Sequence, residues 1–222
     1  MKKTLFIFPL LLAGCISSGP QQQAPSDYLL ADSIHFDHAV VDDLRKVTSA
    51  KFERLVTTIE VIDIINSRHE VTTLKPDALE FAADDKTMKL LSGVRDDLKK
   101  RGYLVFTSEE NFGDVKNKIG VLKSTDQFDI LKCQATDGIN YDIETDSVIK
   151  KLREWNERYP FEITGADRDW VSAKFIEAPA DFHAFAKEVY AFCPDVVDQG
   201  TGTVEALAEE MKTGNWLYLW WD

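Results

Sequence analysis

The segment Trp216-Leu217-Tyr218-Leu219-Trp220-Trp221 constrains the fold more than any other stretch of the chain. Along an extended strand, Trp216, Tyr218 and Trp220 point to one side and Leu217, Leu219 and Trp221 to the other, so both sides are apolar. Such a strand has to be covered on both sides, or lie on one sheet face and be wrapped by helices or the preceding domain, and it is expected as an interior strand laid down last. An aromatic cofactor box is the rival explanation, but burying each ring already stabilises a core by several times the thermal energy without any ligand, and no cofactor is expected. At 222 residues, with 44% hydrophobic and 29% charged side chains, the chain can build a core of that size.

Periodicity upstream of this strand predicts a helix over 84–101 with Thr87, Leu91, Val94 and Leu98 inward, ended by Gly102. Strands are predicted at 79–82, 103–106 and 118–124, and a short helix capped by Ser124 or Thr125 carries Phe128 and Leu131. In the helix starting near Thr145, Val148, Leu152, Trp155 and Tyr159 share a face, and Pro160 stops it. Residues 161–165 and 170–176 read as a hairpin, 179–192 as a helix, 198–202 as a turn, and Thr203 caps a last helix with Gly214 as its left-handed end. Residues 52–65 fit a helix by spacing and a strand by their β-branched content, and both readings stand. The expected class is α+β, with helices layered on a mainly antiparallel sheet, a ferredoxin-like C-terminal half at 118–222 and a smaller N-terminal α/β part at 27–117.

The first fourteen residues have a basic start at Lys2 and Lys3 and an apolar run too short to span a bilayer, the pattern of a secretion signal. Leu12-Ala13-Gly14-Cys15 resembles a bacterial lipobox, which implies cleavage before Cys15 and a diacylglyceryl group on its sulfur. Two or three acyl chains anchor a protein in effect permanently where one is marginal. Ile16 in place of an acidic residue implies, by the same resemblance, the periplasmic face of the outer membrane. Residues 16–26, uncharged and containing two prolines, read as a tether. The membrane partner is therefore the lipid on Cys15.

The formal net charge is −12, and cleavage would remove two further positive charges. A body this acidic repels phosphate backbones, so no nucleic acid partner is expected; the charge by itself serves solubility, and a basic protein is the partner it would suit.

The stretches WNERYPFEITGADRDWV, FAKEVYAFCPDVVDQGTGTVEALAEEM and LYLWWD resemble the bacterial family known as domain of unknown function 4253, over residues 119–222. The resemblance maps shared positions onto Trp155, Gly165, Cys193, Pro194, Asp195, Gln199, Gly200, Trp221 and Asp222, and it implies no activity.

Cys193, Asp195, Asp198, Gln199 and Asp222 are the candidates for chemistry, since a thiol and several carboxylates that converged could share a raised pKa or hold a cation. A catalytic Cys193 would need a base, and His183 lies about 80° around the preceding helix from it. Cys193 therefore reads as a buried structural thiol. Outside the cytoplasm the alternative to that buried thiol is a Cys133–Cys193 disulfide, worth about 4 kcal/mol. His35 and His38 have metal-ligand spacing without a third ligand, so no metal is expected. The expected function is a lipid-anchored, non-catalytic protein-binding module of the immunity or inhibitor kind. The alternative is a hydrolytic or cation-dependent enzyme centred on the five candidates.

Overall fold

The computed structural model describes residues 24–63, 68–111, 113 and 115–222. Cys15, its leader and most of the tether lie outside the described residues. Helix α1 (Ala24–Ser33) starts inside the segment expected as tether, so 24–26 are helical. Helix α2 (His38–Val47) buries Val40, Val41 and Leu44, and its Arg45 grips Asp27 of α1 through Nε and Nη2 at 2.6 and 2.8 Å. Strand β1 (Glu53–Arg54) is followed by β2 (Thr57–Asp63) and β3 (Arg68–Leu74), which pair antiparallel as a separate two-stranded sheet. Over Thr57–Asp63 the undecided segment is thus a strand: its β-branched residues prevail over a helical spacing.

After β4 (Ala78–Ala83), the helix expected over 84–101 is two, α3 (Asp85–Leu91) and α4 (Arg95–Lys100). Asp84 caps the first by accepting from the Thr87 N–H at 2.9 Å, and the break falls at Ser92-Gly93, where glycine costs about 1 kcal/mol in a helix. Leu91 and Leu98 still bury on the same core. Then come β5 (Tyr103–Glu109), β6 (Asn117–Lys123), α5 (Asp129–Gln134), a 3₁₀ turn at Ile139–Tyr141 and α6 (Thr145–Arg158). The chain continues through β7 (Phe161–Ala166), β8 (Trp170–Phe175), α7 (Phe182–Phe192), a π-helical turn at Val196–Thr201 where a plain turn was expected, α8 (Val204–Gly214) and β9 (Trp216–Trp220).

The class is α+β: seven strands form one sheet in the order β1-β4-β6-β5-β7-β8-β9, antiparallel except where β5 meets β7. The period of two explains why Tyr103-Leu104-Val105-Phe106 is buried throughout. Tyr103 and Val105 join a core with α1 to α4, while Leu104 and Phe106 join the core under α5 to α8.

Two expectations are corrected here. β9 is an edge strand, paired with β8 and not interior, so the C-terminal half does not follow a ferredoxin-like order, which would return β9 to β6. Its inner residues Leu217, Leu219 and Trp221 are fully buried. Of its outer rings, Tyr218 stacks on Trp170 at 5.9 Å and tilts against Trp216 at 5.5 Å, while Trp220 packs against the core under α5 to α8. Asn215, not Gly214, takes the left-handed conformation ending α8, while Gly214 leaves room for the Trp216 indole, which a Cβ would meet at 2.0 Å.

β5 and β7 share a single register pair, Thr107 with Gly165, and bulges fall beside it on both strands, after Thr107 and after Ile163. Bulged strands bend, so the two separate on either side of this contact. Two glutamines stitch the seam. Gln134 donates to the carbonyls of Ser108 and Ala166, both at 2.8 Å. Gln127 donates to Phe161 O at 3.1 Å and accepts from the Ile163 N–H at 2.8 Å, as a neighbouring strand would.

Candidate functional site

Helix α7 ends at Cys193, and Pro194 prevents its continuation. The Cys193 thiol donates to Trp220 O at 3.0 Å, and Asp195 Oδ2 accepts from the Asp222 N–H at 2.9 Å. Those two backbone groups, on residues i and i+2, face the free side of β9, whereas the Trp221 N–H turns the other way, to Asp169 O at 2.9 Å beside β8. Cys193 and Asp195 therefore occupy the place of an eighth strand and close the sheet edge with side chains.

Asp195 is 2% exposed. Its Oδ1 also accepts from Tyr141 Oη at 2.5 Å and Gln199 Nε2 at 2.9 Å, the latter reached across the π-helical turn. Burial acts to raise the Asp195 pKa, but the hydrogen bonds from Tyr141, the Asp222 amide and Gln199 outweigh it and hold the carboxyl below its ordinary 3.8. The same Asp195 bond pushes the Tyr141 hydroxyl up to about 12. Burial pushes both the Cys193 and Cys133 thiols up to about 12.

Four of the five candidates thus meet: Cys193, Asp195, Gln199 and, through its backbone, Asp222. Asp198 does not join them; it is exposed and accepts from Tyr190 Oη at 2.9 Å. The carboxylates do not converge as a shared-proton site would need: the hydrogen-bond partners of Asp195 among the described residues are all donors. Cys133 and Cys193 are free, buried thiols and not the alternative disulfide, the second committed to Trp220. His183 pairs with Glu205 at 3.2 Å. His35 and His38 bond separate carboxylates, Asp77 at 2.9 Å and Asp32 at 2.8 Å, and no group of three potential ligands forms among the described residues. Tyr141 escaped the sequence reading, since it comes from a loop 54 positions away with no local signal.

A thiol protonated at neutral pH and a carboxylate saturated by fixed donors do not make a nucleophile or a general base.

Beside it opens a groove of about 460 Å³ lined by Glu60, Asp137, Asp169 and Asp222, with Arg168 as its cation. Arg168 is tied to Asp137 at 2.7 Å, which leaves the groove acidic. Trp221 forms part of its wall, and its buried indole N–H has no acceptor among the described residues.

Fold and cluster together define an α+β protein whose last strand is clamped by a Cys-Pro-Asp turn. Residues 118–222 match the model described as Domain of unknown function (DUF4253), so the chain carries that domain over its C-terminal half. No curated protein and no solved structure matches the chain.

Proposed function

We propose that the protein is a non-catalytic module, anchored through lipid on Cys15 at the periplasmic face of the outer membrane, that binds a basic protein in the manner of an immunity or inhibitor protein. The observation that carries this reading is the acidic groove at the end of the sheet, where Glu60, Asp137, Asp169 and Asp222 surround one already paired arginine. Convergent charge of one sign steers an oppositely charged partner and speeds encounter at low salt. The hydrogen bonds that occupy Cys193 and Asp195 support binding over catalysis.

The test is capture from solubilised envelopes on immobilised protein at rising salt, beside a Glu60→Lys, Asp169→Lys variant. The reading expects a basic protein recovered at low salt, lost at high salt and absent with a variant of unchanged melting temperature. Recovery of nothing at low salt, or capture indifferent to charge reversal, contradicts it. Intact mass of the membrane-extracted protein tests the anchor: a bare Cys15 would remove it.

A further inference from the structure

The separation of β5 and β7 leaves a cleft in the plane of the sheet. Its volume is about 330 Å³, at the lower end of the range for small-molecule sites, and its walls include Leu104, Val105, Phe128, Ile130, Phe161 and Ile163. It shares no lining residue with the acidic groove.

Two features define what fits. The first is that β7 offers an incoming peptide little on this side, because Gln127 already takes Phe161 O and the Ile163 N–H. An added strand would have to displace that amide, whereas an apolar chain loses nothing by lying against these walls.

The second is the charge at the mouth. Arg95 and Lys99, one turn apart on α4, share a single carboxylate, Glu162, at 3.9 Å and 3.0 Å. Beyond that distant contact, Arg95 has among the described residues one long bond, to Ile163 O at 3.4 Å, so its fork lacks a bidentate partner there. Asp126, the other acid on the rim, is taken by Arg153. In a chain of net charge −12, an apolar cleft that ends in two cations with one counter-ion selects an anion.

We propose that this cleft binds a small amphipathic carboxylate, its hydrocarbon part between the splayed strands and its head group on Arg95 and Lys99. The probes are octanoate, 1-octanol and octylamine, titrated into the full chain by calorimetry and followed by methyl NMR. Octanoate should saturate and shift the methyls of Leu104, Ile130 and Ile163 while leaving those of Leu217 and Leu219 in place. Octanol and octylamine should bind about tenfold more weakly, and Arg95→Gln should weaken octanoate about tenfold with octanol unchanged. Should Arg95→Gln also lower the melting temperature, Lys99→Gln serves in its place, since it loses only the bond to Glu162. No saturation by octanoate, equal affinity for octanol, tighter binding of octylamine, methyl shifts elsewhere, or affinity insensitive to the variants would each overturn the assignment.

Discussion

Asp195 shows how a motif that looks reactive can be structural. A carboxylate that is 2% exposed stays charged because three donors surround it, and removing it strands a backbone N–H, a carboxamide and a phenol at once. Asp195→Ala should cost about 3 kcal/mol, in keeping with charge-assisted bonds, as read by urea denaturation. The pH dependence follows from the direction of the shift. The folded pKa of Asp195 lies below its ordinary 3.8, so its contribution is complete above that value and lost as pH falls through the folded pKa. Tyr141 is the opposite case: with a hydroxyl raised to about 12, its contribution is complete below the ordinary 10.0 and fades as pH rises through about 12. Denaturation midpoints for Asp195→Asn should therefore be flatter than wild type on the acid side, and those for Tyr141→Phe flatter on the alkaline side. The thiols offer a separate check. With both near 12, maleimide at pH 7.5 should leave Cys133 and Cys193 unmodified in the folded chain and label them in denaturant, by peptide mass; rapid labelling of Cys193 in the native state would revive the nucleophile.

At the scale of elements, the recurring device is a side chain standing in for a strand. Gln127 does it for β7, Gln134 bridges β5 to β7, and Cys193 with Asp195 does it for β9. Gln127→Ala should free Phe161 O and the Ile163 N–H and cost about 2 kcal/mol, with faster exchange of the Ile163 amide. An unchanged exchange rate would mean that the seam is held by other contacts. These stand-ins were not legible beforehand, because a glutamine at 127 has no local signature of the carbonyl it meets 34 positions on. Elements whose cause is local were legible: α6 carries its apolar face at helical spacing up to Pro160, and β7 and β8 alternate around a short loop. The single helix over 84–101 failed because one continuous apolar face masked the break at Gly93.

For the whole molecule, the sheet ignores the boundary that the sequence suggests. β6 opens the region matched by the domain model, yet both its neighbours, β4 and β5, precede that region, and β5 lies between β6 and β7. A fragment of 118–222 should therefore fail to fold cooperatively, whereas 24–222 should; a sharp melting transition in the short fragment would contradict this. The edge position of β9 was hidden for a related reason, since Tyr218, flanked by Trp170 and Trp216, looks in sequence like a ring that needs a layer above it. The α+β class survived because it depends on element types and not on their order. Central to all of this is that Cys-Pro-Asp holds the free edge of the terminal aromatic strand. The most direct test is the melting temperature of Asp195→Asn together with amide exchange at Asp222. The account predicts a fall of about 6 °C or more and loss of protection at Asp222, and an unchanged melting temperature with a protected amide would contradict it.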